Sequence, residues 1–561
     1  MRARELFLTL IGALAIALVA TWPLATEMTG SLPHDARFAP FAGSDINIWV
    51  WNFWWAGEVV MNGMPPFHCD AIFSPAGHSL AFHTHTFLWG LFSLPFQWVG
   101  GLFFALNAMI LLLLAVSATS AYALARELEL RPLASAIVGI AWGCSPYFIQ
   151  KGLVHLNLFA SPWLPLGLLF LLRLLNRRKT EQSWKHALGL GIVTGLCLLT
   201  GSLQTVYLAV ACGVLVLVRP GRGASDEPRR ANLFQPIPIA IALFAFALTA
   251  LPFLSEWSDE WVSSGGYGAF PQEFHPQLAD FFTPSGLHPA FPGLGGGRAL
   301  VDAPFAGARS EHAALYLRFS LLLLAAIGSV RVPNARRWVL GFVCIFLATW
   351  DPGPEPEGWL SSMYRSLPVL DLLRVPARFM PAAILFLSVA AGYGVQVLSS
   401  DRKRRPMLAL LLTALLFESW TGSYPMQTVE VPQAVERIAN GPSKGVVLSL
   451  PYIPGANEAM LWQTQHGHPV SASYVARLNP SRLEVIRRAT PDLFALALGL
   501  AWPNPAALAL DLRHADIGSI LFRTTSGIDP TPLFEILDEM EGWERSEPLG
   551  DDVEWWYRTS L

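Results

Sequence analysis

The chain has 561 residues, of which 53% are hydrophobic and only 14% are charged, and its formal net charge at pH 7 is −3. Soluble domains carry about 25% charged residues, so the composition excludes an ordinary soluble enzyme. The absence of a basic excess also argues against nucleic acid as a partner. Apolar runs of about 20 residues, long enough to cross a bilayer, recur along the chain. The sequence therefore predicts an α-helical polytopic membrane protein.

Length and hydropathy predict about eleven transmembrane helices. The first, at 6–24, follows Arg2 and Arg4, and we interpret it as a retained span rather than a signal peptide because no small-residue cleavage site follows it cleanly. The apolar stretch 86–99 is expected to be re-entrant or packed on its neighbour. The other spans are centred on 103–125, 133–149, 158–175, 187–201, 203–218, 235–254, 313–330, 338–350, 379–399 and 407–423.

Every second predicted loop is rich in Lys and Arg, as in the loops around 173–185 and 402–405. Cytoplasmic loops hold the excess of these residues, so the N-terminus is predicted to lie inside. The same alternation predicts that four segments lie on the outer side of the membrane. These are the loops 25–85, 255–312 and 351–378 and the tail from residue 424.

The tail, 424–561, differs in character from the preceding residues, because it contains 17 acidic and 10 basic residues. Strands are predicted within 445–452 and 514–525 from their apolar runs. Helices are predicted at 481–500, with Ser481 as the N-cap, and at 530–541. The sequence thus predicts a transmembrane domain, 1–423, followed by an extracytoplasmic α/β domain, 424–561.

Several blocks of the sequence resemble bacterial polytopic membrane proteins related to the GT-C glycosyltransferases. The resemblance implies a GT-C-like fold in the bacterial inner (cytoplasmic) membrane. It also implies transfer of a sugar from a polyprenyl-phosphate donor to a glycan, lipid or protein acceptor on the outer face. The blocks are GSDINIWVWNFWWAGEVVMNGMPPFHCDAIFSPAGHSLAFHTH (43–85), SPYFIQKGLVHLNLFASPWLPL (145–166), LADFFTPSGLHPAF (278–291), RVPARFM (374–380), and VVLSLPYIPG with LWQTQHGHPVSASY (446–474).

An acidic residue in the first outer loop is the usual catalytic or metal-binding feature of GT-C enzymes, and Asp45 is the best match, with Asp35 as the runner-up. Asp45 would act as the base towards the acceptor hydroxyl or hold a divalent metal ion that neutralises the phosphate. The paired-acid form is missing, so the metal stays an open question. Alternatively, Asp45 is only the N-cap of a helix. That helix would place Asp45 and Asn52 on one face and lie along the membrane surface on its tryptophans.

Arg374 and Arg378 lie on the predicted outer side, against the positive-inside trend. A guanidinium binds phosphate through two parallel hydrogen bonds, so this pair is predicted to bind the departing polyprenyl phosphate. The alternative is a structural ion pair with Asp371 or Glu256.

Further polar residues are predicted to contact the substrate. His83 lies among several histidines of the first outer loop, where it could also contribute to a metal site. His155 and Asn157 would hydrogen-bond sugar hydroxyls, or else satisfy backbone groups at a turn. Gln463 and His466 belong to an aromatic and amide-rich segment of the kind that binds sugars, although the same composition also occurs in ordinary α/β modules.

A non-catalytic membrane transporter or a glycan- or lipid-handling scaffold is the alternative function. A transporter is expected to carry buried ionisable residues within its spans and inverted repeats. Glu418 is the only mid-span acid that the predicted spans contain, and no repeat is visible. These features favour the enzyme.

Overall fold

The computed structural model groups the chain into two units. The helical unit comprises Met1–Met28, Asn107–Leu251 and Gly268–Met426, and the mixed unit comprises Thr29–Leu106, Pro252–Tyr267 and Gln427–Leu561. The boundary predicted at residue 424 concerns the two sides of the membrane and stays a prediction. The structure describes residues 3–38, 40–176, 183–218, 236–264, 276–291, 314–352, 358–359, 362, 375–441, 445–471, 473–497, 504–524, 529–547 and 552–559.

A helix overlaps each of the predicted spans. The α-helices that coincide with them are Ala3–Ala20, Phe87–Glu127, Pro132–Gly143, Pro146–Lys151, Trp163–Asn176, Ser183–Thr200, Ser202–Val218, Pro236–Ser264, Phe319–Arg331, Pro333–Trp350, Met380–Ser399 and Arg405–Glu418. The other α-helices are Asp45–Asn62, Gln433–Asn440, Tyr452–His466, Pro480–Ala489, Pro491–Ala497, Pro505–His514 and Thr531–Asp538. Short 3-10 helices are Leu24–Thr26, Phe41–Gly43, Leu156–Leu158, Leu278–Phe281, Pro376–Phe379 and Arg402–Arg404.

The chain is a multi-pass membrane protein. Within the described residues, six helical segments are long and apolar enough to cross a bilayer. The figure of eleven spans stays a prediction, because the remaining helices are shorter or less apolar. The six segments are Ala3–Ala20, Phe87–Glu127, Pro132–Lys151, Leu156–Leu175, Pro236–Ser264 and Pro376–Ser399.

The stretch 86–99 falls in the first of two helices that meet at a kink within Phe87–Glu127, and its being re-entrant or packed on its neighbour stays a prediction. The kink is at Gly101, which has a φ of 80° and a ψ of −176°. Glycine adopts this conformation without the steric cost that a Cβ would impose, so the helix can change direction there and continue.

The helical unit packs around Met380–Ser399, most of whose side chains are buried. The neighbouring helix Phe319–Arg331 approaches so closely that a Cβ on Gly394 would lie 1.9 Å from the carbonyl oxygen of Leu324. Small residues allow two helix backbones to approach in this way, which is how transmembrane helices gain their packing energy.

The predicted mid-span acid Glu418 lies at the end of helix Arg405–Glu418. Its carboxylate accepts hydrogen bonds from the backbone N–H groups of Phe319 (2.8 Å) and Ser320 (3.0 Å) and from the Tyr316 hydroxyl (2.8 Å). A carboxylate in this place satisfies N–H groups that the first turn of a helix leaves without partners. Glu418 therefore holds the start of the helix Phe319–Arg331.

The mixed unit contains a four-stranded sheet. Its first two strands, Val446–Leu450 and Ile517–Arg523, are parallel and confirm the two predicted strands. Val553–Arg558 then pairs antiparallel with Ile517–Arg523, and Trp543–Arg545 forms the edge beyond it. Leu448, Ile520 and Trp556 lie in register across three strands and belong to one buried apolar core. The remaining strands are Ser31–Pro33, His68–Cys69, His78–Ser79 and Met426–Thr428.

The predicted helix 481–500 is wrong in its continuity and in its cap. Two helices replace it, Pro480–Ala489 and Pro491–Ala497, because a proline disfavours helical geometry in the residue before it and has no N–H to continue the ladder. The first helix is capped by Asn479, whose side-chain oxygen accepts a hydrogen bond from the Ser481 N–H at 2.9 Å. Residues 498–500 lie outside the described part of the chain. The predicted helix at 530–541 is confirmed as Thr531–Asp538.

Candidate active site

The helix Asp45–Asn62, here called the first-loop helix, begins at the residue that the sequence singles out. Its N-cap is Ser44, which has extended backbone geometry and accepts a hydrogen bond from the Ile46 N–H at 3.4 Å. It ends at Gly63, which has a left-handed φ of 68°. The alternative in which Asp45 is the N-cap is therefore wrong. Asp45 is the first residue of the helix, half-buried, with its carboxylate in the first turn.

The prediction that the tryptophans of this helix rest on the membrane surface is wrong for Trp49, Trp51 and Trp55, which are buried within the mixed unit. Trp51 stacks on Trp55 with ring centroids 5.7 Å apart, and the Trp55 N–H donates to the carbonyl of Pro66 at 3.2 Å. Indole rings contribute large apolar contacts, and their N–H groups need an acceptor when buried. Protein contacts supply both here, so the helix is fixed by packing.

Asn52 and His83, both predicted to belong to the substrate site, contact each other. The Asn52 amide donates to the carbonyl of Thr84 at 3.0 Å, and its oxygen accepts from His83 Nε2 at 3.1 Å. Both side chains are buried. Burial lowers the pKa of His83 to about 3, so this imidazole is neutral at physiological pH. The pair supports the first-loop helix from its buried side.

Gln463 and His466 lie on the helix Tyr452–His466, here called the tail helix. The fully buried Gln463 accepts a hydrogen bond from Trp51 Nε1 at 2.7 Å and donates to the carbonyls of Ala71 (2.7 Å) and His468 (3.2 Å). His466 Nδ1 accepts from the His468 N–H at 3.0 Å, and burial lowers the pKa of His466 to about 3. The tail helix thus fixes the first-loop helix through an amide buried between them.

A second contact holds the beginning of the first-loop helix. Asn457 of the tail helix donates to the carbonyl of Gly43 at 3.0 Å, one residue before the N-cap. The imidazole of His34 lies 3.2 Å from the Ser44 hydroxyl. The residues that position Asp45 therefore come from three separate parts of the sequence.

Asp35, the runner-up acid, has a different environment. Its side chain is 6% exposed and is bound by the Arg37 guanidinium. Arg37 Nε donates to Oδ1 at 2.9 Å and to Oδ2 at 3.0 Å, and one terminal nitrogen donates to Oδ2 at 2.5 Å. A carboxylate held in this two-pronged way is charge-compensated. This pairing weighs against Asp35 as a proton acceptor.

The site residues predicted from the helical unit are only partly described. Asn157 is buried within a 3-10 turn and its backbone carbonyl accepts from Gln204 Nε2 at 2.9 Å, while His155 is half-buried at the start of that turn. Arg378 is half-buried in the turn Pro376–Phe379. Arg374 and its alternative partner Asp371 lie outside the described residues.

The sequence did not predict a polar cluster in the mixed unit around His68. Its Nδ1 lies 3.1 Å from a carboxylate oxygen of Glu256, and its Nε2 lies 3.3 Å from Asp70. The hydrogen bond to Glu256 raises the pKa of His68. One helical turn further along, Glu260 is buried and accepts from Asn479 at 2.8 Å. No local pattern joins residues so far apart in the chain, so only the fold could reveal the cluster. Glu256, the other alternative partner of the arginines, belongs to this cluster.

Metal binding remains a prediction. Among the described residues, no group of three or more His, Cys, Asp or Glu side chains is arranged to hold a metal ion.

Solved structures resemble this chain over its full length, whereas no family model and no curated protein matches its sequence. The arabinofuranosyltransferase AftD from mycobacteria matches with 16% identity and a TM-score of 0.55, over 100% of this chain and 40% of that chain. The oligosaccharyltransferase AglB from Archaeoglobus fulgidus, in complex with an inhibitory peptide and a dolichol-phosphate, matches with 10% identity and a TM-score of 0.54, over 99% of this chain and 74% of that chain. A zinc and sulfate complex of the Archaeoglobus fulgidus oligosaccharyltransferase matches at 12% identity and a TM-score of 0.50, over 95% and 70% of the two chains.

These matches confirm the predicted resemblance at the level of the fold: the chain has the fold of the GT-C glycosyltransferases. It spans about two fifths of the length of AftD. At these identities the fold is what the comparison establishes, and the activity has to be argued from the site.

Proposed function

We propose that this protein is a membrane glycosyltransferase that transfers a sugar from a polyprenyl-phosphate donor to a glycan, lipid or protein acceptor. The observation that carries the proposal is the placement of Asp45. In this GT-C fold, Asp45 is the acid of the first loop that stands at the first position of a helix. Ser44 caps that helix, so capping does not explain why an acid is at position 45. The Asp45 carboxylate is therefore a candidate for chemistry.

The reaction requires one proton acceptor. As the acceptor hydroxyl attacks the anomeric carbon, its proton passes to Asp45. The bond between the anomeric carbon and the phosphate oxygen then breaks, and polyprenyl phosphate leaves with the bonding electrons. The first turn of the helix supports this role, because its partial positive charge stabilises the ionised carboxylate at rest. A divalent metal ion, if bound, would be held by the same carboxylate and would neutralise phosphate charge.

Other predicted residues would divide between positioning and binding. Asn52, His83 and Gln463 are buried and hydrogen-bonded to protein groups, so they position the first-loop helix and need not touch sugar. Arg378 would bind the leaving phosphate, because a guanidinium keeps its charge at interface depth and matches phosphate oxygens in pairs.

Two neighbouring substitutions separate the chemical role of Asp45 from a structural one. Asp45→Asn keeps the shape and the N-cap but removes the proton-accepting charge. We expect transfer from a labelled polyprenyl-phosphate sugar to fall by a factor of about 10² to 10⁴. Thermal stability should change little, since the lost interaction with the helix terminus is worth about 0.3–1 kcal/mol.

Ser44→Ala is the matched control, because it removes the cap and keeps the carboxylate. It should cost about 1 kcal/mol of stability and leave transfer by the folded protein near the wild-type rate. Wild-type turnover in Asp45→Asn would show that Asp45 is not the base and would direct attention to Asp35.

A transporter or a non-catalytic scaffold stays the alternative class. The hydrogen bonds of Glu418 to the start of another helix weigh against its use as a carrier of protons or ions. A purified protein that moves a lipid-linked sugar across vesicles but transfers none to any acceptor would favour this alternative.

A further inference from the structure

The mixed unit contains a cavity of about 260 Å³, and no described residue of the first-loop helix lines it. Its floor includes Leu448 of the sheet, and one wall is the pair of helices Pro480–Ala489 and Pro491–Ala497. The turn 73–76 also lines the cavity. Two backbone hydrogen bonds anchor the segment that contains this turn, from Ser74 N–H to the carbonyl of Val470 (3.0 Å) and from Val470 N–H to the carbonyl of Ala71 (2.9 Å).

The lining is almost entirely apolar. Of the described residues that form it, none is Asp, Glu, Lys or Arg. Two polar side chains are already bonded within the protein: the Tyr452 hydroxyl donates to the carbonyl of Ser473 at 2.7 Å, and the Thr490 hydroxyl donates to Ile486 at 3.1 Å. The buried hydroxyl of Ser471 has no partner among the described residues. The other polar side chains of the lining are Ser74 and His514, and the remaining lining residues are apolar.

Two further observations indicate that the cavity is built rather than accidental. Phe73, which lines it, has a φ of 50°, a left-handed conformation that is costly for a bulky side chain. Such strain persists where the surrounding structure requires it, often at ligand sites. Val485 also lines the cavity yet is 60% exposed, so apolar surface continues from the cavity to the outside.

The chemistry of the walls selects the ligand. A phosphate would need Arg or Lys, and the many hydroxyls of a sugar would be left without partners against apolar walls. A hydrocarbon chain has neither requirement, and each buried methylene contributes favourably. One carbonyl or hydroxyl near the head of the chain would pair with Ser471.

We infer that this cavity binds the hydrocarbon chain of a lipid and that the acceptor of the transfer reaction is a lipid-anchored hydroxyl compound. The assignment of the acceptor rests on the proposed glycosyltransferase function, whereas the binding of a hydrocarbon chain does not.

Photo-crosslinking tests the binding without any need for activity. The purified full-length protein is incubated with a long-chain fatty acid that carries a diazirine near its methyl end, and labelled peptides are mapped after irradiation. We expect label on residues 478–497. In Ala489→Trp, an indole at the cavity wall should reduce that label at least about tenfold, equivalent to a tenfold loss of affinity. Ala506→Trp is the matched control, because Ala506 is exposed on a neighbouring helix and does not line the cavity.

Each outcome decides one claim. Equal labelling of Ala489→Trp and Ala506→Trp, or no label within 478–497, would overturn the binding site. If Ala489→Trp does not fold, Ser471→Ala takes its place, with reduced labelling by a fatty acid that carries a carbonyl near its head as the expected result. Asp45→Asn should label like the wild type. Labelling without any sugar transfer by the wild type would defeat the proposed function alone, and undiminished transfer to a lipid acceptor in Ala489→Trp would defeat the acceptor assignment alone.

Discussion

Gln463 is expected to determine the stability of the mixed unit, because its buried amide joins the tail helix to the first-loop helix. Gln463→Met keeps the length of the side chain but leaves two groups without partners, namely Trp51 Nε1 and the carbonyl of His468, whereas the carbonyl of Ala71 keeps the hydrogen bond from the Val470 N–H. A buried polar group that loses its partner costs about 1–3 kcal/mol. At the lower figure the loss is about 2 kcal/mol, which corresponds to about 4–8 °C in Tm for a domain of this size.

The assay is thermal unfolding of the purified protein followed by tryptophan fluorescence, to which the stacked Trp51 and Trp55 contribute. Gln465→Met is the matched control, because Gln465 is on the same helix, is exposed and bonds only to its neighbour Thr464 among the described contacts. If both variants unfold at the same temperature, the three hydrogen bonds do not support the unit and the reasoning is refuted.

Three further outcomes are expected. Arg378→Lys should impair sugar transfer almost as much as Arg378→Ala, because an ammonium cannot make the two-pronged phosphate contact. Normal donor binding in both variants would show that Arg378 has a structural role and does not bind the phosphate. A reporter fused after Leu561 should be active only outside the cytoplasm, and cytoplasmic activity would reverse the predicted orientation. Glu256 raises the pKa of His68, so their interaction stabilises the fold below about pH 6.5. This stabilisation is lost as pH rises through the raised pKa. If the Tm of His68→Gln depends on pH in the same way as the Tm of the wild type, the His68–Glu256 interaction does not stabilise the fold.

Much of the architecture could be predicted from the sequence because it rests on local properties. Apolar length determines which segments can cross a membrane, and each predicted span coincides with a helix. The strands Val446–Leu450 and Ile517–Arg523 were predictable from short apolar runs. The beginning of the first-loop helix was also predictable, although its cap was assigned one residue too late. Ser and Asp are both strong caps, and only the backbone geometry distinguishes them.

The tertiary structure decided what the sequence could not. Amphipathic patterning indicated that the tryptophans of the first-loop helix are shielded from water. Apolar periodicity does not say whether lipid or protein shields them. Burial by the tail helix through Gln463, over 400 residues from Trp51, answers that question. The sequence of the tail likewise suggested sugar contacts for Gln463 and His466, whereas their amide and imidazole groups bond to protein. The placement of Asp45 depends on both kinds of information: local residues start its helix, and contacts between distant segments hold that helix in place.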